Sequence, residues 1–330
     1  MRHSLGPLLR RATVSAPTLA TIWAPGTAAS PAPEATRLSF AQRYQALRGG
    51  TAVYGDFDMS GIDVDSDPNT YNSSRAEVRL PAGARATYAR LYWSGGLRVG
   101  EQKPPRDNER VLVAEPGGQY EEVLADTVVG HRADGDADDF RASADVTRLV
   151  RESGSGLYTV ARVNGATGRS AAGAWGGWTL VVAYERAAEP LRHLLRDGFD
   201  PLNSLTTQGI RLSGPRFPRG TGGQAGPVAY DGDRGRTGDS LTLSTASGAA
   251  TVLGDPADPG DDVPNSTISE PAEATAERVP AHVNTLGHDS DVFDLARGLQ
   301  RGGDQLTVRL VSQRDAAWSG ALFVAVDARQ

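Results

Sequence analysis

The sequence predicts an all-β protein, built of two tandem jelly-roll-like β-sandwiches, each with a short helix before its last two strands. Three observations predict it. First, Thr, Val, Tyr and Trp recur in short runs between Gly, Pro and Asp clusters, and the 330 residues include 39 Gly and 20 Pro. So many turn formers break the chain into short strands. Second, one pattern occurs twice, as "DVTRLVRESGSGLYTVARV" from Asp145 and "DVFDLARGLQRGGDQLTVRLV" from Asp291. Such self-similarity marks a repeated unit. Third, each copy closes on a strand apolar on both faces, "WTLVVAYE" from Trp178 and "ALFVAVD" from Ala321, ending in Glu185 or Asp327. A strand of that kind is central, with material packed on each side.

Taken in order, residues 1–40 stand apart. Arg2, Arg10 and Arg11 precede the mildly apolar "ATVSAPTLATIW", and "APGTAASPAPEA" follows. Basic, apolar, then small is the order of a secretory signal, and a cut after Ala29 would leave Thr27 and Ala29 at the two positions where small residues matter. The first sandwich is assigned to 41–189. Its strands are read from "TAVYGDFDMSG", "AEVRL", "ATYARLYWSG" and "ERVLVAE". A helix capped by Asp145 follows, with Val146 and Leu149 on one face and Gly154 ending it. Gly176 and Gly177 turn the chain sharply into "WTLVVAYE", where Trp178, Leu180, Val182 and Tyr184 share one face and Val181 and Ala183 the other.

The second sandwich is assigned to 190–330. Its strands are "LRHLLRDGF", "TTQGIRLSG", "DSLTLSTA" and "ATVLGD", with Ser213–Pro227 as a long loop. Asp291 is the expected helix cap, Val292 and Leu295 the buried face, and Gly298 the terminator. The acid at each cap also complements the helix dipole.

Composition narrows the function classes. The chain has no cysteine, so disulfides, thiolate catalysis and Cys-ligated zinc are excluded. Its net charge of −6 argues against nucleic acid as a partner, and no apolar run is long enough to span a membrane. Lys103 is the single lysine and sits in a loop, which argues against a core isopeptide cross-link.

The segments "ARLYWSGG", "GWTLVVAYE", "LRHLLRDGF" and "HVNTLGHDSDVFDL" together resemble a family of uncharacterised actinobacterial exported proteins, over roughly Gly49 to Asp327. The resemblance implies an exported or surface protein whose relatives often carry Ig-like repeats downstream. It implies no activity. "DVTRLVRESGSGLYTVAR" is also similar to a segment of galactose-binding-like jelly rolls.

The chemistry-bearing candidates are few. "GDSL" at Gly238–Leu241 spells a hydrolase motif, with Ser240 as nucleophile and His288 beside Asp289 as its base, but the "LTLST" that follows reads as a strand opened by a Gly-Asp turn. The five histidines show no zinc-ligand spacing. Asp63, Asp65 and Asp67, and Asp134, Asp136 and Asp138, alternate in loops, and alternate carboxylates are what calcium selects. "DPADPGDD" adds a third acidic run. Trp93 and Trp175 are the candidate stacking platforms for a sugar, while Trp178 reads as a core plug.

The expected function is therefore that of a non-catalytic, secreted or cell-surface protein for adhesion or structural recognition, requiring no cofactor. The alternative is a carbohydrate-binding module with structural calcium. The expected partners are an extracellular glycan or protein, and the sequence leaves the oligomeric state open.

Overall fold

The computed structural model describes residues 41–46, 50–57, 62–97, 105–134, 137–165, 175–187, 191–202, 208–245, 249–270, 276–313 and 317–327. The signal-like segment 1–40 and Lys103 lie outside them. Residues 33–330 form one compact unit.

After β1 (Ala41–Ala46), the first half of the chain runs through β2 (Gly50–Phe57), β3 (Ser73–Val78), β4 (Arg85–Gly96), β5 (Arg110–Ala114), β6 (Glu121–Leu124), β7 (Thr127–Asp134) and β8 (Ala137–Asp145). Helix α1 (Thr147–Ser153), β9 (Gly156–Ala161) and β10 (Gly176–Glu185) complete it. One sheet has the order β2-β10-β4-β8-β7, and β3-β9-β5-β6 lie together in the sheet facing it. Counting the strands without β7, that is the 1-8-3-6 and 2-7-4-5 pairing of a jelly roll.

The second half repeats it. Its strands are β11 (Leu191–Leu202), β12 (Gln208–Phe217), β13 (Gly223–Tyr230), β14 (Ser240–Thr245), β15 (Thr251–Leu253), β16 (Ile268–Ser269) and β17 (Arg278–Val279). β18 (His288–Asp291), β19 (Phe293–Asp294), β20 (Gly303–Val311) and β21 (Ala317–Asp327) follow. The sheets are β11-β21-β13-β18, edged by β16, and β12-β20-β14-β15. The chain is thus a tandem of two jelly rolls, and each edges the other's neighbour. β1, ahead of the first roll, pairs with β11 of the second, and β17 pairs back onto β3 of the first. Pairing of this kind covers backbone groups that an open edge would expose.

The repeat is real, but its register is three residues from the one the shared Asp-Val suggests. In the first roll Asp145 Oδ1 accepts from Thr147 N–H at 2.9 Å, and Val150 N–H bonds Val146 C=O, burying both valines. In the second roll the matching acid is Asp294, whose Oδ1 accepts from Ala296 N–H at 2.7 Å. Leu299 N–H bonds Leu295 C=O there, and both leucines are buried. Asp291 is not the cap: it ends β18 inside the protein. The expected second helix is a single turn, because Gly298 and the Gly302-Gly303 pair stop it early. Ser213–Pro227 is also not a long loop. It is the end of β12, a five-residue connection at 218–222, and the start of β13.

The doubly apolar strands find their two layers. Trp178, Leu180 and Val182 enter the core of the first roll, with Leu91, Trp93 and Tyr158. Leu322, Val324 and Val326 enter the core of the second, with Leu241, Leu306 and Val308. The intervening residues, Val181 on β10 and Ala321 and Phe323 on β21, meet in a third cluster with Tyr92, Val228 and Tyr230. That third layer is the contact between the two rolls.

Candidate functional site

Polar groups also meet between the rolls. Asp197 on β11 is fully buried and accepts from Tyr92 Oη at 2.9 Å and from Arg43 Nε. Arg90 Nε lies 3.5 Å and Arg141 Nη2 3.9 Å from the same carboxylate. Arg141 Nη1 donates to Gly320 C=O at 2.8 Å, directly across the contact. Both guanidiniums lie over the Tyr92 ring, 5.0 Å away for Arg141 and 5.9 Å for Arg90. Burial, and next the Asp197 charge, push the Tyr92 hydroxyl well above its usual value, so it stays a donor. Nearby, Thr179 Oγ1 and His288 Nε2 are 3.1 Å apart, and burial pushes His288 down to about 3. These groups are desolvated and bonded to one another across the contact, with Arg141 Nε and His288 Nδ1 left without a partner among the described residues. They fix how the rolls sit together, and they leave no face to a ligand.

A second polar cluster lies on the outer side of β18. Asp289 and Asp291 alternate with His288 and Ser290, so they face away from the roll contact. Asp289 Oδ2 accepts from Asn265 N–H at 2.7 Å and Thr267 N–H at 3.3 Å, and Asp291 Oδ1 accepts from Ser269 N–H at 3.1 Å. Asp258 receives the hydroxyls of Thr267 and Ser269. All three carboxyls are buried. Burial first raises all three, Asp289 to about 6 and Asp291 well above the usual carboxylate range; the next charge raising Asp289 is Asp258, that raising Asp291 is Asp289, and that raising Asp258 is Asp255. Asp289 Oδ1 and Asp291 Oδ2 meet no donor among the described residues, so repulsion between the two buried carboxyls favours the neutral acid.

Beside this cluster opens a cavity of 540 Å³, between edge strand β15 of one sheet and β16 and β19 of the other. Leu253, Val292 and Phe293 form its apolar floor, while Asp255, Glu270, Asp294 and Arg297 stand around it. Ser269, held by Asp258 and Asp291, forms part of the inner wall. Burial raises the Glu270 carboxyl. Asp255 Oδ1 is fixed by Ala257 N–H at 2.7 Å and Asp258 N–H at 3.0 Å.

The residues singled out in the sequence fare differently. Trp93 offers no stacking face: it is fully buried, and its Nε1 donates to Asn108 C=O at 2.8 Å. Trp175 is also buried, stacked on Tyr230 with ring centroids 5.2 Å apart. Both rings were expected outside. Trp93 is drawn in because it shares a face with Leu91, and Trp175 because the second roll covers it. Asp63, Asp65 and Asp67 form turns with their own loop. Asp63 accepts from Ser73 Oγ, Asp65 from Asp67 N–H, Thr70 Oγ1 and Tyr120 Oη, and Asp67 from Asn69 N–H. Burial opposes ionisation of Asp65, yet those hydrogen bonds hold it below its usual value. Asp138 pairs with Ala133 across the β7–β8 hairpin. The Asp134 side chain and Asp136 lie outside the described residues. Among the described residues no three acidic or histidine side chains are arranged to hold a metal ion.

Ser240 opens β14, as the alternating "LTLST" requires, and its sheet is not the one that carries His288. The His288 ring turns instead to Thr179, so the described residues show no Ser–His pair. The buried pair Asp289–Asp291 and the carboxylate of Asp197 were not foreseen. "HDSD" carried a signal for the first, since alternate acids in a strand share one face.

No protein-family model matches this chain, and no curated protein matches it. Two solved structures are similar in outline. One is from the atomic structure of Sulfolobus turreted icosahedral virus, at 10% identity and a TM-score of 0.22, covering 83% of this chain and 90% of that one. The other is PNGase F, a glycosylasparaginase from Flavobacterium meningosepticum, at 11% identity and a TM-score of 0.20, covering 84% and 97%. Likenesses at that level carry no argument about activity. The jelly-roll assignment rests on the strand orders above.

Proposed function

We propose that this chain is a non-catalytic exported or cell-surface protein that serves adhesion or structural recognition. The observation that carries the reading is the desolvated contact between the rolls. It joins two sandwiches into one stiff body through Asp197, Arg90, Arg141 and Tyr92, and stiff bodies present surfaces in a fixed relation at low entropic cost. The state of the candidate base supports the same reading. A histidine held near 3 is neutral at physiological pH, and the threonine hydroxyl it meets is fully buried with it, out of reach of a substrate. The address rests on the order of residues in segment 1–40. Fractionation of the epitope-tagged chain in its native host tests it. The chain is expected in the medium or in a protease-accessible surface fraction, and removal of residues 1–29 is expected to trap it in the cytosol. Cytosolic retention of the intact chain would overturn the address.

A further inference from the structure

We infer that the cavity between β15, β16 and β19 is a binding site for a saccharide, held through a vicinal diol by Asp294 and Arg297. The inference rests on reading the chain as a recognition protein. Its first support is that the cavity's two rim groups are not spent on each other. Asp294 and Arg297 are three residues apart on one turn, a spacing that often pairs opposite charges. Both line the cavity and both are exposed, yet no ion pair joins them. One oxygen of Asp294 caps Ala296 N–H, which orients the carboxylate, and its other oxygen has no partner among the described residues. The guanidinium of Arg297 has none either.

An acceptor and a donor fork three residues apart on one cavity rim suit two adjacent hydroxyls, one donating to the carboxylate and the next accepting from the guanidinium. Both contacts are charge-assisted, the strong kind. The second support is the floor. Leu253, Val292 and Phe293 are buried and present apolar surface, which suits the C–H face of a sugar ring. Val252, a large apolar side chain left 57% exposed, stands at the same cavity. The third is charge. Asp255, Glu270 and Asp294 outnumber Arg297 around the space, which disfavours an anion and favours a ligand rich in hydroxyl donors. The volume of 540 Å³ leaves room for a ring and part of its neighbour.

The experiment is a glycan array probed with the full chain, followed by calorimetry with the best-retained sugar. Its analogues lacking either hydroxyl of the diol, Arg297→Gln and Asp294→Asn complete the set. Asn keeps the cap on Ala296 and both positions are exposed, so melting temperatures should not move. The expected result is retention of a neutral glycan, with at least a roughly tenfold loss of affinity for each variant and each deoxy analogue. The inference is overturned if no glycan is retained, if both variants bind as the parent does, or if free amino acids or diamines bind better than neutral sugars. Release of a cleaved sugar by the full chain would instead sink the non-catalytic reading, and the two failures are therefore distinct.

Discussion

The buried carboxyl pair should give this protein an unusual response to pH, and His288 should mask part of it. Take Asp289 first. Its carboxyl titrates near 6 in the folded protein because burial penalises the anion, against a usual value of 3.8. Between those values the folded state holds a proton that the unfolded state has released, so stability falls as pH rises through that window. At about 1.36 kcal/mol per unit, the loss is about 3 kcal/mol above pH 6. His288 works the other way. Its folded value is about 3 against 6.5, so below 6.5 the unfolded state takes up a proton that the folded state refuses. That contribution is complete above 6.5 and is lost as pH falls towards 3, by roughly 4 to 5 kcal/mol over the full range.

Over pH 4 to 6 the Asp289 and His288 slopes have opposite signs and similar size and offset each other, while the raised Asp291 and Asp258 carboxyls leave the parent chain losing stability as pH rises. Substitution should separate them. Asp289→Asn removes the buried charge, and it can still accept from Asn265 N–H. This variant should be more stable than the parent at pH 7.5, by up to about 3 kcal/mol, and its stability should fall less steeply as pH rises from 4 to 6. His288→Gln keeps a partner for Thr179 and removes the other slope. It should be more stable at pH 4.5 than at 7.5. Urea melts at constant ionic strength across pH 4 to 8 read both slopes. The reasoning is refuted if His288→Gln is no more stable at 4.5 than at 7.5, or if Asp289→Asn weakens the protein at 7.5.

Three further outcomes are expected. Trp178→Ala should cost about 3 to 5 kcal/mol in a urea melt, since it empties a fully buried site and strands the Ser74 hydroxyl that its Nε1 reaches at 2.8 Å. Asp197→Ala should cost about 3 to 5 kcal/mol, because Arg141 is then left buried beside no carboxylate and Arg90 keeps only the half-exposed Asp126. An equal melt for Asp197→Ala and the parent would show that the rolls do not depend on this contact. Chelation followed by millimolar calcium at matched ionic strength should not shift the melt through Asp63, Asp65 or Asp67, whose oxygens already cap their own loop. A calcium-dependent rise that survives Asp65→Asn would place an ion elsewhere, with Asp134, Asp136 and Asp138 the next to substitute.

The architecture was largely legible in the sequence, because period-two apolarity and turn chemistry are local signals. "WTLVVAYE" shows that β10 has two apolar faces, and two apolar faces need two partners. The sequence is silent on what the outer partner is. A second roll and a separate protein would select the same Val181 and Ala183, and for that reason Trp175 could be read as an exposed ring. The three-residue slip between the copies has a similar cause. "DV" repeats at Asp145 and Asp291, but burial repeats from Asp145 and Asp294, where Val146 and Val150 match Leu295 and Leu299. Identity of letters misled where the spacing of apolar side chains did not. The acids divide by the same logic. Asp65 and Asp291 are indistinguishable by type, yet one caps a turn in partial contact with water and the other is buried beside a second carboxyl, which raises it. What separates them is whether the alternate position belongs to a loop or to a strand with both sides covered. In "HDSDVFD" the covered strand forces His288 towards one roll and Asp289 and Asp291 away from it, so one short segment carries both halves of the opposed pH response.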